Sequence, residues 1–419
     1  DKLGIDGKRV EPFFKPDFSL DLLLSMNYIC HFSLLRAAIV DRIGGFREGY
    51  EGSQDYDLLL RFIEETEPKK IYHIPKILYH WRKIPGSAAA EVNAKDYAFV
   101  SAKKALDDYR KRNSIPGIVT DGLFLGSYRL RREIIGNKKV SIIIPFRDRA
   151  DLLKVCLDSI FEKTIYSNYE IILVNNHSQE NETFTYLDIL KKKDRVRILE
   201  YDQDFNFSAI NNFAVNHTDG DYILLLNNDV KVISAEWLSA MVEHAQRPEV
   251  GVVGAKLIFR NERIQHAGVV MGIGIASHAF SHLPGNENGY FGLINVVRNY
   301  CAVTGACMML RKEVYEEMGG LDEVNLSVAY NDVDICLKAV DKGYLVVYTP
   351  YAQLYHYESV TRGNDNDMDL KRKDPSKYER VIAEREFMQR KWSKYIQNDP
   401  FYNPNLTRSS NDFCIRIDK

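Results

Sequence analysis

The polar triplet Asn227-Asn228-Asp229 stands directly after a short apolar run at residues 222–226. An apolar run of this length between polar residues is typical of a strand buried on both faces. In open parallel sheets, ligands bind just beyond the carboxyl ends of such strands. A carboxylate there, flanked by two amides, suits a hard divalent cation that keeps waters and a diphosphate as its other ligands. A simple turn is the alternative, because Asn and Asp also favour turns.

The elements that would position this triplet are strands alternating with helices from residue 139 onward. Strands are predicted at 140–145, 170–174, 196–199, 222–226 and 251–259. Helices are predicted at 151–161, 184–192, 208–216 and 234–246, the last with Ser234 as its N-cap. This alternation predicts right-handed βαβ units and an α/β fold with a mostly parallel sheet flanked by helices.

The loops after these strands favour some ligands and exclude others. Residues 175–178, Asn-Asn-His-Ser, follow the second strand and can face the same ligand as the triplet at 227–229. No Gly-x-Gly-x-x-Gly follows the first strand, and no Walker-type lysine loop occurs in the sequence. A dinucleotide-binding fingerprint is therefore excluded.

Composition sets the broad class. The chain has 419 residues, 45% of them hydrophobic and 27% charged, with a net charge of −2, so no nucleic-acid partner is expected. Basic clusters at 129–132, 191–193 and 371–373 are interpreted as solvated faces, with weak docking on an anionic membrane as the alternative. Six cysteines are too few for a disulfide framework, which favours a reducing, cytoplasmic compartment. No apolar run reaches the length of a bilayer span.

An internal repeat is the second large feature. Four landmarks recur in the same order: Leu-Arg, Gly-Gly, an aspartate in a polar tetrapeptide, and Tyr-His. The first copy has them at 35–36, 44–45, 55 and 79–80, and the second at 310–311, 319–320, 332 and 355–356. The chain is thus predicted to carry two copies of the back half of one module and a single front half.

The repeat and the periodicity together predict four segments. Residues 1–113 form the isolated back half plus a charge-rich helix at 91–112, and residues 114–138 form a partly extended linker. Residues 139–405 form the complete domain, and 406–419 form a C-terminal tail.

The order and spacing of the motifs resemble those of an inverting glycosyltransferase of family 2, which has the Rossmann-like GT-A fold. The motifs that carry the resemblance lie at residues 144–148, 175–178, 204–212, 227–229, 303–307, 331–334 and 356. The phrases at 264–268 and 401–406 are similar to the bacterial surface-polysaccharide branch, in which rhamnosyltransferases are common.

The resemblance implies a metal site. The last residue of the family's Asp-x-Asp motif, which holds Mn²⁺ or Mg²⁺, corresponds to Asp229, and the cation neutralises the leaving diphosphate as a Lewis acid. The first motif position is Asn227 here, which reduces the negative charge of the site. His356 matches a position that supplies a further metal ligand in some relatives, and a packed core histidine is its alternative.

The resemblance also implies a general base. Asp332 matches the residue that takes the proton of the acceptor hydroxyl as it attacks the anomeric carbon. A helix N-cap is the alternative role, and the two roles are compatible. Asp334 is expected to orient neighbouring groups. Thr304, Gly305 and Asn331 are expected to line the sugar subsites.

The donor site follows from the same match. Asn175 stands where the family has an aspartate that reads a uracil or thymine imide, and an amide can still pair with that edge, so UDP or dTDP is expected. The remaining residues expected to bind the nucleotide-sugar are Pro145, Phe146, Arg147, Asn206, Ser208, Asn211, Asn227 and Asn228. His278 and His282 are interpreted as acceptor-loop histidines rather than a metal pair.

The first copy retains Asp55 and His80 but lacks the nucleotide-binding strands, so it is not expected to transfer sugar. Asp1-Lys2 is interpreted as the severed edge of a second metal motif. The copy would serve as an acceptor platform or as a packed remnant.

The function expected from these residues is metal-dependent, inverting transfer of a sugar from a nucleoside diphosphate to a glycan or lipid-linked glycan of a growing bacterial polysaccharide, of the O-antigen or capsule type. Peripheral contact with the inner face of the cell membrane is a further expectation.

Two alternatives to this function stay open. A sugar nucleotidyltransferase would need a glycine-rich loop after the first strand, and residues 145–149 contain no glycine. A non-catalytic module that binds glycan or a partner enzyme is the other.

Overall fold

The computed structural model describes residues 1–84, 96–357 and 374–417. The basic cluster at 371–373 and residues 91–95 of the predicted helix lie outside the described residues. Within those ranges, no helix combines the length and the apolar character that crossing a bilayer would require.

The N-terminal module consists of short helices around a small three-stranded sheet. Its strands are β1 (Lys2–Leu3), β2 (Arg9–Val10) and β3 (Trp81–Arg82), and its helices are α1 (Leu20–Leu23), α2 (Ala37–Arg42), α3 (Gln54–Glu64) and α4 (Asp96–Arg112). Helix α4 packs on α3, and its buried face carries Ala102, Ala105 and Leu106.

Residues 114–138, predicted to be a linker, contain a packed hairpin of β4 (Gly117–Asp121) and β5 (Tyr128–Arg132). Alternate β5 side chains, from Tyr128 and Leu130, are buried. The side chain of Arg129 lies 3.2 Å from that of Glu243 in the following domain. The basic cluster at 129–132 is therefore engaged in packing and ion pairs, and its interpretation as a solvated face is wrong.

A buried polar contact joins the N-terminal module to the rest of the chain. The carboxylate of Asp21 on α1 lies 2.6 Å from the guanidinium of Arg247, and it also accepts a 2.8 Å hydrogen bond from the Asn299 amide. Both charged side chains are almost fully buried. Because neither charge is exposed to water, removing either partner would leave the other as an unpaired buried ion.

The main sheet has ten strands in the described residues. They are β6 (Val140–Phe146), β7 (Tyr169–Asn175), β8 (Val196–Glu200), β9 (Tyr222–Leu226), β10 (Val230–Val232), β11 (Val250–Ile258), β12 (Ile264–His266), β15 (Arg298–Tyr300), β16 (Cys307–Arg311) and β17 (Leu345–His356). A separate hairpin pairs β13 (Val269–Met271) with β14 (Ala276–His278). The central order is β10-β17-β11-β16-β9-β6-β7-β8, with β12 on β11 and β15 on β17.

Helices cover both faces of this sheet. They are α5 (Ala150–Lys163), α6 (Asn181–Leu190), α7 (Phe207–Val215), α8 (Trp237–Ala245), α9 (Lys312–Glu317), α10 (Asn331–Asp341), α11 (Pro375–Lys391) and α12 (Ser393–Gln397). Successive strand residues such as Ile142 and Ile143 belong to different hydrophobic clusters on opposite faces. Strands β6, β7, β8, β9, β11 and β17 share one direction and the other four run opposite to them. The predicted α/β fold with a mostly parallel, helix-flanked sheet is confirmed.

Two local predictions differ from the structure. Helix α8 begins at Trp237 with Glu236 in the cap position, so Ser234 is not its N-cap. The Ser234 hydroxyl instead accepts a 3.0 Å bond from the backbone N–H of Gln353, because the unpredicted edge strand β10 first pairs the chain with β17. The predicted tail at 406–419 is packed through residue 413, where buried Phe413 stacks on Phe280 with ring centroids 4.1 Å apart.

The sequence repeat has structural counterparts. Helices α2 and α9 contain 6 residues each, and α3 and α10 contain 11 residues each. The glycine pairs that follow α2 and α9 adopt positive φ angles, 81° and 63° at residues 44–45 and 75° and 68° at residues 319–320. Such left-handed backbone after a helix favours glycine, which explains why both copies have it there.

Candidate functional site

The aspartate of the polar triplet lies beside the histidine predicted to join it. Asp229 follows β9 and precedes β10, and β10 pairs with β17 so that Val230 faces His356 across the ladder. The two side chains are almost fully buried, and His356 Nε2 lies 3.2 Å from Asp229 Oδ1. The pairing of the two strands therefore brings together two residues that are far apart in the sequence.

Hydrogen bonds fix the orientation of the His356 ring. Its Nδ1 lies 2.8 Å from the side-chain oxygen of Gln265, and its Nε2 lies 3.1 Å from the amide nitrogen of Asn227. An amide oxygen can only accept, so Nδ1 carries a proton in this arrangement. Nε2, as the acceptor of the Asn227 amide N–H, then points to the corner occupied by Asn227 and Asp229.

Asp229 and His356 fit a divalent cation that takes most of its ligands from phosphate oxygens and water. The described ranges contain no group of three or more His, Cys, Asp or Glu side chains placed to hold a metal. Adjacent ligands of an octahedral Mg²⁺ ion at about 2.1 Å lie about 3 Å apart, close to the 3.2 Å between His356 Nε2 and Asp229 Oδ1. Mg²⁺ is usually held by one or two carboxylates plus phosphates and water. Asp229 and His356 would supply the protein ligands.

The predicted base lies in the first turn of α10. The half-buried carboxylate of Asp332 accepts one 2.8 Å hydrogen bond at Oδ2 from the Gly305 backbone N–H. A second, also 2.8 Å, reaches Oδ1 from the N–H of Val333. Lone pairs remain on both oxygens for an acceptor hydroxyl. The cap position of α10 is occupied by Tyr330, so Asp332 is not the N-cap, and its carboxylate is available as a base.

The metal side and the base side lie on one edge of the sheet. The backbone N–H of Asn227 donates to the carbonyl of Ala306 at 3.1 Å, which extends the pairing of β9 with β16. The neighbouring residue, Gly305, donates to Asp332. A Cβ added at Gly305 would lie 3.2 Å from the Asp332 Cβ, so the close approach favours glycine here. Asp229 is therefore connected to Asp332 by two hydrogen bonds, Asn227 to Ala306 and Gly305 to Asp332, and the short pieces of chain between them.

Asp334, two residues after the predicted base, has a packing role. It is fully buried and accepts a 2.7 Å hydrogen bond from the indole N–H of Trp392. The ammonium groups of Lys391 and Lys338 lie 2.7 Å and 3.2 Å from it. Asp334 therefore ties α10 to the C-terminal helices.

Two loops predicted to bind the nucleotide lie side by side. Phe146 pairs with Asn175 across β6 and β7, and Arg147 beyond it is exposed. The Asn175 amide donates to Glu200 at 2.7 Å and accepts from the Ser178 N–H at 3.1 Å. Half-buried Pro145 completes this group. The structure thus holds the Asn175 amide in one orientation.

Three predicted donor-site residues on or beside α7 are used for packing instead. Ser208 and Asn211 are fully buried, and their side chains bond to the carbonyls of Leu326 (2.5 Å) and Phe207 (2.7 Å). They cannot contact a nucleotide in this structure, because this helix face turns inward. Asn206 caps the helix through the Ala209 N–H at 3.0 Å.

The remaining predicted residues lie around the same edge. Asn228 and Thr304 are each 8% exposed, and the Asn331 amide donates to the Val328 carbonyl at 3.1 Å. His278 packs edge-on against His266 with ring centroids 5.2 Å apart. His282 instead stacks on the ring of Phe259.

Two functional candidates were not predicted: Gln265 and His266, which are adjacent on β12. His266 Nδ1 lies 2.9 Å from the Ala255 carbonyl, and its Nε2 accepts a 3.2 Å bond from the Thr304 N–H. Burial, with the nearby His278 and His356, holds the pKa of His266 well below its ordinary value, so the ring is neutral. The sequence feature that could have indicated them is a pair of adjacent polar residues at the end of an otherwise buried strand.

Three comparisons are informative. Residues 141–319 match the family described as Glycosyl transferase family 2. An uncharacterized protein of Sinorhizobium fredii, y4gI, is 44% identical over 99% of this chain and 45% of its own length. The O-antigen biosynthesis protein RfbC of Myxococcus xanthus is 39% identical over 99% of this chain and 32% of its own length. The chain spans less than half the length of these relatives.

One solved structure with a similar arrangement is a mannosyltransferase, PcManGT, from Pyrobaculum calidifontis in complex with GDP-Man and Mn²⁺. It has a TM-score of 0.42 and 15% identity, over 56% of this chain and 60% of that one.

Proposed function

Because residues 141–319 form a glycosyltransferase family 2 domain, we propose that the chain transfers a sugar from a nucleoside diphosphate to a glycan or lipid-linked glycan. The product would be a bacterial surface polysaccharide of the O-antigen or capsule type. The similarity to the O-antigen biosynthesis protein RfbC of Myxococcus xanthus supports this acceptor class. We place the reaction in the cytoplasm, at the inner face of the cell membrane.

The observation that carries the proposal is the connection between Asp229 and Asp332. One carboxylate lies beside an imidazole nitrogen, and the other accepts two backbone N–H groups with lone pairs to spare. The Asn227–Ala306 contact holds them on the same sheet edge. Transfer of a sugar needs a positive charge that stabilises the leaving diphosphate and a group that accepts a proton; Asp229 with His356 would hold a cation for the first purpose, and Asp332 would serve the second.

Each residue has a distinct role in this proposal. Asp229 and His356 would hold a Mn²⁺ or Mg²⁺ ion, which supplies charge stabilisation for the departing diphosphate. Asp332 accepts the proton of the attacking hydroxyl, which approaches from the face opposite the leaving group and inverts the anomeric configuration. Exposed Arg147 contacts the nucleoside at the end of β6, beside the buried Phe146 and Asn175, with UDP or dTDP as the expected donor.

A donor screen tests the proposal. UDP-, dTDP- and GDP-sugars would be incubated with the chain and Mn²⁺ or Mg²⁺, with EDTA as the control, and release of nucleoside diphosphate measured. We expect metal-dependent release from a UDP- or dTDP-sugar, and NMR of a transferred product should show the inverted anomer. A parallel incubation with UTP or dTTP and a sugar 1-phosphate tests the nucleotidyltransferase alternative, because that reaction joins the nucleotide to the sugar phosphate and releases pyrophosphate. Donor binding without any release under these conditions would favour the non-catalytic binding module.

A further inference from the structure

Gln265 and His266 stand side by side on β12 and reach opposite sides of the candidate site. Both are buried, at 3% and 0% exposure. Successive side chains of a strand point to opposite faces, so one dipeptide can contact two separate groups. Strand β12 is itself held on β11, where Leu257 faces His266. The two side chains therefore project from a fixed piece of backbone.

Gln265 acts on the metal side. Its side-chain oxygen lies 2.8 Å from His356 Nδ1, which leaves Nε2 directed at Asp229. A histidine that ligates a metal through one nitrogen commonly donates its other N–H to an acceptor, which fixes the ring and its tautomer. Without that acceptor the ring of His356 could rotate or carry its proton on Nε2. Either change removes the lone pair from the metal corner.

His266 acts on the base side. It accepts the N–H of Thr304 at 3.2 Å, while its own Nδ1–H is directed at the Ala255 carbonyl 2.9 Å away. The next residue, Gly305, donates to the Asp332 carboxylate. His266 thus fixes the backbone that orients the proposed base, although it does not contact that base directly.

We propose that Gln265 and His266 are positioning residues that hold His356 and the 304–305 backbone in a fixed relation, so that the metal side and the base side form together. This inference rests on the proposed function, since it concerns the same site. It assigns each residue to one side only: Gln265 to cation affinity and His266 to the proton-transfer step.

The Gln265 assignment is tested by Mn²⁺ affinity. Gln265→Met removes the acceptor at similar volume, whereas Gln265→Glu keeps an acceptor oxygen. Electron paramagnetic resonance would follow Mn²⁺ binding to the full chain, alone and with UDP. Loss of such an outer partner typically weakens metal binding by about 10–100-fold, so we expect that loss for the Met variant and near-native affinity for Glu. Gln246→Met, at the hairpin contact with Ile135, is the matched control and should bind as the native chain does.

The His266 assignment is tested by hydrogen exchange and kinetics. His266→Met should increase amide exchange at Thr304 and lower kcat, with Mn²⁺ affinity and donor KM close to native. His266→Gln, which can again accept from the Thr304 N–H, should restore most of both. Thermal unfolding of each variant identifies any that fail to fold.

The outcomes separate the inference from the proposed function. Suppose that the native chain turns over donor and binds Mn²⁺, and that Gln265→Met binds Mn²⁺ equally well. That result would overturn the Gln265 assignment and leave the proposed function unaffected. Unchanged exchange and kcat in folded His266→Met would do the same for His266. A native chain that neither binds Mn²⁺ nor releases nucleoside diphosphate would overturn both function and inference.

Discussion

Replacing the proposed base while preserving its shape is the sharpest test of the site. Asp332→Asn keeps an oxygen that can accept from the Gly305 N–H, but it removes the charge that takes up the acceptor proton. General-base catalysis contributes about 10²–10⁴-fold, which corresponds to about 3–5 kcal/mol of the activation free energy. We therefore expect kcat to fall by about that factor.

The effect on folding should be much smaller. The amide nitrogen of the variant would face one of the two backbone N–H groups, from Gly305 or Val333, so one hydrogen bond is lost. A hydrogen bond to a charged group contributes about 1.5–3 kcal/mol when it is fully buried. Because Asp332 is only half-buried, we expect the free energy of unfolding to fall by about 1 kcal/mol.

The repeat offers a matched control for this experiment. Asp55 occupies the corresponding first turn of α3, is also half-buried, and accepts a 3.1 Å bond from the Asn27 amide. The assay is release of nucleoside diphosphate at saturating donor and acceptor, with circular dichroism and urea unfolding on the same samples. Asp55→Asn should leave kcat unchanged.

Two results would refute the reasoning. If Asp332→Asn retains native kcat, Asp332 is not the base. If Asp55→Asn lowers kcat as strongly as Asp332→Asn does, the N-terminal module takes part in the chemistry.

Other consequences concern stability. Asp334→Asn should lower the free energy of unfolding by about 3 kcal/mol, measured in urea, because it breaks a buried ion pair; unchanged stability would contradict its packing role. Burial raises the pKa of Asp21, but the charges of Arg247, Arg132 and His244 and the hydrogen bond from Arg247 together outweigh burial and lower that pKa to about 2. The ionised group therefore contributes about 2 kcal/mol above pH 4, lost as the pH falls through about 2. Asp21→Asn should be less stable at pH 6 and show a shallower acid dependence, and an identical dependence would contradict this. Gly268→Ala would place a Cβ 2.1 Å from the Tyr300 ring at a φ of 105° and should cost about 3 kcal/mol in thermal unfolding. Gly274→Ala, at a φ of 61° but with open space around it, should cost about 1 kcal/mol, because only the backbone is strained.

Features encoded locally could be predicted from the sequence. The apolar run at 222–226 is bounded on both sides by polar residues, so its strand and the position of Asp229 beyond its end follow from neighbouring residues alone. The regular alternation after residue 139 likewise predicts five of the six strands that share one direction, β6, β7, β8, β9 and β11. The sixth, β17, and the antiparallel strand β16 lie beyond the last predicted strand and were not predicted. Strands β10, β12 and β15 have three residues each, which is too few for a periodicity to appear, and they were missed.

Features decided by distant contacts could not be predicted. Ser208 and Asn211 have the polarity of ligand-binding residues, but the face of α7 that turns inward is decided by the segment near Leu326, more than a hundred residues away. The acceptor for His356 lies 91 residues earlier, at Gln265. No spacing rule connects two positions that meet only because β12 and β17 belong to one sheet.

The repeat separates what the fold requires from what the chemistry requires. Asp57 in the first copy and Asp334 in the second are both fully buried, and each pairs with a basic residue four positions later on its own helix. A role shared by a copy without nucleotide-binding strands must be a packing role. Asp332 and its counterpart Asp55 differ in their hydrogen-bond partners. The carboxylate of Asp332 accepts from the backbone N–H of Gly305, whereas that of Asp55 accepts from the side-chain amide of Asn27. The second copy alone therefore ties this carboxylate to the backbone that continues into the proposed metal side, and that connection distinguishes the proposed catalytic edge from its counterpart in the first copy.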